Sequence, residues 1–308
     1  MSLPLPESTT VLIVGAGPTG LAAALSLIHH DFRDFVIVDA VVQGENTSRA
    51  LVIHAATLEA LDSIGCGQVL VDKGFKAQSI TIRNRTSELI RTDFSYLKPH
   101  TPHPYALALP QNITEQVLGQ KLKDLAVHVH RPKRVVGMKR NVRDSLVTDV
   151  SFDDGSVIST KYVIGADGAR SVVRTTAGIG FADPDGDNST HVLSQMTLAD
   201  VTFKGGDISS RGFVGVLNPD TFFLCVDFPN STNELLAQNG QEISDRIYRI
   251  ASSIPVADGP PPSHPPKEFM QALVDKYGPT YMSSDPSVNP TPLKKSKPGG
   301  SYRVLRVN

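Results

Sequence analysis

A pattern of three glycines directly after a short apolar run constrains the fold of this chain more than any other feature. Residues 11–14, Val-Leu-Ile-Val, are typical of a strand buried on both faces, and Gly15, Gly17 and Gly20 follow in G-x-G-x-x-G spacing. In this motif the first glycine makes a tight turn, the second lets the backbone approach a pyrophosphate, and the third lets a helix pack closely on the strand. The spacing therefore predicts a βαβ unit that binds a nucleotide.

The residues that follow this glycine loop complete the nucleotide-binding pattern. Apolar side chains at positions 21, 24, 25 and 28 recur at helical spacing, which predicts a helix that offers its N-terminal N–H groups to phosphate. A second apolar run, residues 35–38, ends in Asp39, where a carboxylate can accept hydrogen bonds from a ribose and disfavours a 2′-phosphate. FAD and NAD proteins share this unit, so residues further along the chain have to distinguish the two cofactors.

Composition and charge argue against several other classes of protein. The chain has 308 residues, a formal net charge of −1 and a pI near 6.8, which gives no reason to expect nucleic acid or an anionic membrane as partner. The N-terminal apolar stretch contains glycines and a proline, so it predicts a strand and a loop rather than a signal peptide or a membrane span. Cys66 and Cys225 have neither disulfide nor metal spacing, so we expect buried thiols, no metal site and a cytoplasmic location.

A second informative stretch lies at residues 161–179. Residues 162–164 predict a strand, residues 165–168 predict a tight turn around Asp167, and the remainder predicts a short helix that Gly178 ends. The Asp167 carboxylate would lie beside the N-terminus of that helix. The sequence leaves two interpretations of Asp167 open, a helix cap and a ligand contact.

Together these segments resemble the FAD-dependent aromatic-ring hydroxylases, single-component monooxygenases of the p-hydroxybenzoate hydroxylase and phenol hydroxylase type. The resemblance covers residues 9–180, and its most specific part is the Asp-Gly turn that follows the strand-like residues 127–152. The matching motifs are the glycine loop with Asp39, residues 48–59, Pro110-Gln111 with Glu115, and residues 165–171.

The resemblance implies FAD as cofactor and NAD(P)H as co-substrate. It implies that the glycine loop and Asp39 bind the ADP half of FAD, and that Arg49, Gln111 and Asp167 lie toward the pyrophosphate and the ribityl chain. Asp167 is also implicated in the approach of the pyridine nucleotide, whereas Arg49 is equally compatible with a solvated loop. The cofactor-binding residues expected from the resemblance are Gly15, Gly17, Pro18, Gly20, Asp39, Arg49, Gln111, Asp167 and Gly168.

We expect an α/β fold with two domains. The first is an FAD-binding βαβ domain, Rossmann-like and with a β-meander, formed by residues 1–75 and 105–185. The second is a mainly antiparallel β-sheet substrate domain, residues 76–104 and 186–282, followed by a loop-like or disordered tail, residues 283–308, whose last residues are strand-like. A third family motif, a Gly-Asp segment that closes over the ribityl chain, has no match in this sequence, so we expect a truncated chain.

These observations predict an FAD-dependent monooxygenase that hydroxylates a phenolic or related aromatic ring with NAD(P)H and O2. No side chain is assigned as catalytic, because the cofactor carries the difficult chemistry. Two alternatives stay open: a truncated, inactive fragment that binds FAD or another nucleotide, and an NAD-dependent dehydrogenase, which would need a second doubly wound half. The expected partners are a small aromatic substrate and O2, and a homodimer is one open oligomeric state.

Overall fold

A computed structural model describes residues 4–42, 50–181, 195–203, 212–228, 246–262 and 265–283, together with the backbone of residues 303–307. The position of Arg49 lies outside the described residues. The chain divides into two compact units. The first unit comprises Met1–Thr47, Ala60–Leu70 and Gln111–Asp183, and the second comprises Ser48–Glu59, Val71–Pro110 and Pro184–Asn308. Which unit serves which function, and with which bounds, stays a prediction.

Strands and helices follow one another along the described chain in a fixed order. They are β1 (Ser8–Val14), α1 (Pro18–His29), β2 (Phe35–Val38), β3 (Val52–Ile53), α2 (Ala55–Ser63), α3 (Gly67–Lys73), β4 (Phe75–Ala77), β5 (Ser79–Arg83), β6 (Glu88–Asp93), β7 (Ala106–Ala108), α4 (Gln111–Asp124), β8 (Val129–His130), β9 (Val135–Arg140), β10 (Thr148–Phe152), β11 (Val157–Gly165), α5 (Val172–Thr176), β12 (Met196–Thr202), β13 (Phe213–Leu217), β14 (Phe222–Asp227), β15 (Ile247–Ser253), α6 (Lys267–Tyr277) and β16 (Arg303–Val307).

The first unit contains a six-stranded sheet with the order β8-β2-β1-β11-β10-β9. Strands β8, β2, β1 and β11 run parallel to their neighbours, whereas β11, β10 and β9 form an antiparallel meander. Leu12 and Ile13 point to opposite faces of β1 and are both fully buried, as an unbroken apolar run predicts for a strand covered on both sides. The predicted α/β class with a β-meander is confirmed.

Helix α1 packs with the face that the sequence predicts. Leu21, Ala24, Leu25 and Ile28 are its buried apolar residues, and they recur at the spacing of one helical face. Helix α4 packs against α1 in the same unit and buries Ile113, Leu118 and Leu122. The two helices hold the strands β1 and β2 and the loop between β1 and α1 in a fixed arrangement, since a close-packed interior leaves few alternative positions.

The second unit contains a seven-stranded sheet with the order β16-β12-β15-β14-β13-β5-β6 and a three-stranded sheet with the order β3-β7-β4. All neighbouring strands in both sheets are antiparallel except β13 and β5, so the expected, mainly antiparallel sheet is present. Strand β16 lies within the predicted tail, at the residues that the sequence analysis describes as strand-like, and pairs with β12.

A buried ion pair joins two strands of the seven-stranded sheet. Arg249 on β15 donates hydrogen bonds of 2.6 Å and 2.7 Å to the two carboxylate oxygens of Asp200 on β12, and both side chains are 2% exposed. The two charges neutralise each other in a fork geometry, which offsets the cost of removing them from water. The pair is a structural feature that the strand patterns did not predict.

Both cysteines are buried and free. Burial raises the pKa of the Cys66 thiol and, more strongly, that of the Cys225 thiol, which keeps both groups protonated and unreactive at neutral pH. Within the described ranges, no helix has the length and the apolar character that crossing a membrane requires.

Candidate functional site

Four parallel strands of the first unit end side by side. The register of the six-stranded sheet aligns His130, Val38, Val14 and Gly165, which are the last residues of β8, β2, β1 and β11. The chain segments that follow these residues therefore meet at one margin of the sheet, which we call the carboxyl edge. In open α/β sheets, ligands bind at the carboxyl ends of the strands, so the carboxyl edge is the candidate site.

Gly15 brings two turns into contact at the carboxyl edge. Its φ is +103°, a backbone conformation that favours glycine, and a Cβ at this position would lie 2.3 Å from the carbonyl oxygen of Ala166. Backbone hydrogen bonds hold the same place, because Gly15 N–H donates to Val38 O at 2.9 Å and Ala166 N–H donates to Val14 O at 2.7 Å. A side chain at Gly15 would therefore separate the glycine loop (residues 15–20) from the turn after β11.

The other two glycines of the loop face in different directions. A Cβ on Gly20 would lie 1.8 Å from the carbonyl oxygen of Gly15, so this glycine lets α1 pack against the loop. A Cβ on Gly17 would have no atom within 4 Å, and the backbone of Gly17 has an ordinary φ of −75°. Gly17 is thus not required by the chain itself, and its bare backbone borders open space that a ligand can occupy.

The N-terminus of α1 faces the same open space. Pro18 is the first residue of the helix, where its missing N–H costs no hydrogen bond, and no side chain caps the helix at Gly17. The unpaired N–H groups of the first turn and the positive end of the helix dipole favour an anion. The open side of Gly17 and the uncapped 12-residue helix together fit the pyrophosphate of a dinucleotide.

Asp39 is the carboxylate at the end of β2, and it is tied to the glycine loop. Its Oδ2 accepts a hydrogen bond from Ala16 N–H at 2.6 Å, and its Oδ1 accepts one from Val41 N–H at 2.9 Å. The side chain is 15% exposed. A carboxylate has about four acceptor positions, so Asp39 retains capacity for the hydroxyl groups of a ribose bound against the loop.

Arg131, the residue after β8, is part of this arrangement and was missed by the sequence analysis. Its Nη2 donates to the carbonyl oxygen of Ala16 at 3.2 Å and lies 3.9 Å from Asp39 Oδ2, and its Nη1 donates to Val41 O at 3.4 Å. The only signal in the sequence was a basic residue after a strand-like stretch. Because β8 is just two residues long, that signal did not place Arg131 beside β2.

Asp167 caps the helix that follows its turn. Its Oδ2 accepts hydrogen bonds from Val172 N–H at 2.7 Å and Val173 N–H at 3.1 Å, and its Oδ1 accepts one from the Ser171 hydroxyl. Gly168 has a φ of +82°, which the tight turn requires. The structure thus shows the helix-cap interpretation of Asp167, while a cofactor contact of Asp167 and Gly168 stays a prediction.

Gln111 lies on α4, away from the four strand ends in the chain, and begins that helix. Its side-chain amide donates to Glu115 at 2.8 Å, one helical turn further on. The predicted site residues that the structure brings to the carboxyl edge are Gly15, Gly17, Pro18, Gly20, Asp39, Asp167 and Gly168. A metal site is not among the features of this region: in the part of the chain that the structure describes, no cluster of His, Cys, Asp or Glu could hold an ion.

A protein-family profile described as "FAD binding domain" matches residues 8–282 of the chain. Pentachlorophenol 4-monooxygenase from Sphingobium chlorophenolicum is 30% identical over 232 residues, which are 73% of this chain and 41% of that protein. 6-Methylpretetramide 4-monooxygenase from Streptomyces rimosus is 34% identical over 177 residues, which are 57% of this chain and 31% of that protein. The chain thus spans less than half the length of these relatives.

Solved structures show the same fold. The crystal structure of p-nitrophenol 4-monooxygenase from Pseudomonas putida DLL-E4 matches 98% of this chain and 68% of its own chain, with a TM-score of 0.69 and 20% identity. Anhydrotetracycline hydroxylase from Streptomyces rimosus matches 88% of this chain and 49% of its own, with a TM-score of 0.59 and 25% identity. The likeness to the first of these establishes the fold.

Proposed function

The chain belongs to the family described as FAD binding domain, and from that premise we propose that it acts as an FAD-dependent monooxygenase. In this proposal it hydroxylates a phenolic or related aromatic substrate with NAD(P)H and O2. FAD as the cofactor, which the sequence predicts, is confirmed by the family match. The reaction, the substrate class and the use of NAD(P)H belong to the proposal.

The observation that carries the proposal is the open side of Gly17. Gly15 and Gly20 are required by contacts within the chain, because a Cβ on either would collide with the backbone. Gly17 has no such contact, so its lack of a side chain is explained only by a ligand that approaches the loop. Asp39 and the N-terminus of α1 border the same loop with the hydrogen-bonding groups that a ribose and a pyrophosphate need.

The chain's own residues bind and orient the cofactor in this proposal. The glycine loop and the N-terminus of α1 accept the pyrophosphate, and Asp39 accepts hydrogen bonds from the ribose hydroxyl groups. Arg49, Gln111, Asp167 and Gly168 are proposed to lie toward the pyrophosphate and the ribityl chain. When bound, FAD supplies the redox chemistry that uses NAD(P)H and O2, and the protein supplies position and exclusion of water.

The substrate class is proposed from the relatives. Pentachlorophenol 4-monooxygenase and p-nitrophenol 4-monooxygenase carry phenols in their names. We propose that the second unit, with its mainly antiparallel sheet, provides the substrate-binding surfaces. Phenols that differ in their ring substituents are therefore the first compounds to test.

Turnover of the purified 308-residue chain tests the proposal. The protein is incubated with FAD, desalted, and assayed for oxidation of NADH and NADPH with and without a panel of phenols under isotopically labelled O2. Phenol-dependent oxidation with one labelled oxygen atom in the product would support the monooxygenase. Retained flavin without substrate-dependent oxidation would contradict it and favour the inactive nucleotide-binding fragment.

Location and assembly are also proposals. The two buried, unpaired cysteines support a reducing compartment, and we propose the cytoplasm. We propose a homodimer as the assembly, since closed dimers are the commonest oligomers among soluble proteins. Multi-angle light scattering distinguishes a monomer, at 33.1 kDa, from a dimer at twice that mass.

A further inference from the structure

Arg131 holds one residue of the glycine loop together with Asp39. The N–H of Ala16 donates to Asp39 Oδ2 at 2.6 Å, and the carbonyl oxygen of Ala16 accepts from Arg131 Nη2 at 3.2 Å. Ala16 lies between Gly15 and Gly17, so both polar groups of the residue between these two glycines are fixed by side chains. Its own methyl group is buried, which leaves the loop little freedom to rotate.

The same guanidinium also reaches the chain beyond Asp39. Arg131 Nη1 donates to Val41 O at 3.4 Å, while Val41 N–H donates to Asp39 Oδ1 at 2.9 Å. The guanidinium is 3.9 Å from Asp39 Oδ2, and the two side chains are 21% and 15% exposed, so water screens the pair only in part. Arg131 therefore contacts the segments that follow β1 and β2 while itself following β8.

We propose that Arg131 is a positioning residue that orders the glycine loop and Asp39 for the adenosine half of FAD. The proposal rests on the proposed function in one respect, the identity of the cofactor. A loop that already has its bound geometry loses less conformational entropy when the ligand binds, so affinity rises. Arginine suits this role because its planar fork donates to two carbonyl groups at once, which a lysine ammonium at the end of a flexible stem does not do in a fixed geometry.

The neighbouring Lys133 provides a matched control. It is a basic residue in the same segment, but its ammonium donates to Asp154 and Ser156 in the turn between β10 and β11. Only its backbone N–H contacts the site, donating to Asp39 O at 2.7 Å, and a substitution of the side chain retains that bond. Arg131→Met and Lys133→Met thus each remove one cation from the segment, and only the first removes contacts with the glycine loop.

Hydrogen exchange of the flavin-free protein tests the ordering of the loop. We expect Arg131→Met to raise amide exchange in residues 15–18 by about tenfold or more, because hydrogen bonds to a charged donor are lost, and Arg131→Lys to have an intermediate effect. Exchange is read relative to β10, where a general loss of stability would show equally. Unchanged exchange in the loop, or an equal rise in β10 and the loop, would overturn the proposal, as would the same effect from Lys133→Met.

Binding of FAD and FMN tests the link to the adenosine half. FMN lacks that half, so Arg131→Met should weaken FAD binding by about tenfold or more and leave FMN binding unchanged, while Lys133→Met should leave both unchanged. Equal weakening of FAD and FMN, or of neither, would overturn the proposed role toward the cofactor. If the wild type binds no FAD while the loop exchange still depends on Arg131, the proposed function fails and the ordering of the loop by Arg131 stands.

Discussion

Two turns lie side by side at the carboxyl edge, and they are closed in different ways. The glycine loop after β1 has its shape fixed by backbone contacts and by side chains from elsewhere in the sheet, Asp39 and Arg131. The turn after β11 is fixed by its own side chain, since Asp167 accepts hydrogen bonds from the helix that it precedes. The first turn therefore leaves its outer face free, at Gly17, whereas the second uses its carboxylate for local structure.

This difference separates contact with a ligand from support of the site. The glycine loop has no side chain of its own at the positions where a pyrophosphate would lie, so its N–H groups are accessible. The turn after β11 presses against Gly15 from the other side and keeps the loop in place. The two turns thus make unequal contributions to folding and to binding, and single substitutions can separate those contributions.

Gly15→Ala is expected to have the largest effect, because it separates the two turns. The added Cβ meets Ala166 O and Asp167 N, and the positive φ is strained for alanine, so we expect a loss of about 3–5 kcal/mol in the free energy of unfolding. Urea denaturation followed by circular dichroism measures this loss. Gly155→Ala is the control, since Gly155 has a φ of +81° but open space around a Cβ, and we expect it to cost about 1–2 kcal/mol. Equal losses for both variants would contradict the contact between the turns.

Asp167→Ala is expected to have the second largest effect on stability. It removes the acceptor of two helical N–H groups at the start of α5, which should lower the free energy of unfolding by about 1–2 kcal/mol. The measurement uses flavin-free protein, so that any loss of a cofactor contact does not contribute. Asp167→Asn, which retains one acceptor oxygen, should be less destabilised than Asp167→Ala. A flavin-free Asp167→Ala variant as stable as the wild type would show that the cap has no role in holding the second turn.

Gly17→Ala is expected to affect binding rather than folding. The Cβ has no neighbour and the backbone is ordinary, so the free energy of unfolding should change by less than about 1 kcal/mol. The methyl group occupies the approach of the pyrophosphate, so FAD should bind about tenfold more weakly, which corresponds to about 1.4 kcal/mol. Gly137→Ala adds a methyl group in similarly open space on β9, and it should leave FAD binding unchanged. Unchanged FAD affinity of the Gly17 variant would mean that the cofactor does not approach this face of the loop.

Asp154→Asn, in the turn between β10 and β11, is expected to have the smallest effect and provides the baseline away from the two turns. The Lys133 ammonium, with Ser156, holds the pKa of Asp154 well below its usual range. The resulting stability is present above the unfolded pKa of about 3.9 and is lost as the pH falls toward the lower pKa of the folded protein. The unfolding midpoint of the variant should thus be slightly lower at pH 7, and the gap should close below about pH 4. A gap that persists in acid would contradict this origin.

The glycine loop could be predicted from the sequence because its signals are local. The apolar run of β1, the helical spacing in α1 and Asp39 at the end of β2 all lie within one βαβ unit, where chain neighbours are also neighbours in space. The helix cap at Asp167 was one of two interpretations for the same reason. These parts of the site depend on contacts between residues that are close in the sequence or on strands whose pairing the motif implies.

Arg131 and the buried Asp200–Arg249 pair could not be predicted, because both depend on strand order. Arg131 reaches Asp39 only since the short β8 pairs with β2, and nothing in two residues of strand indicates that partner. Asp200 and Arg249 meet because β12 pairs with β15, and a charge inside a strand pattern predicts an exposed position unless its partner is known. Pairing between segments that are distant in the sequence leaves no periodic signal in a single chain.

The flavin content of the wild-type chain tests the central claim most directly. The purified protein is incubated with FAD and desalted, its absorbance spectrum is recorded, and its fold is checked by circular dichroism. If the carboxyl edge binds the cofactor as described, the wild type retains flavin near stoichiometry and Gly17→Ala retains clearly less, with both proteins equally folded. A folded wild-type protein that is colourless after desalting, or a Gly17→Ala variant with the same flavin content as the wild type, would contradict the assignment of the glycine loop as the FAD site.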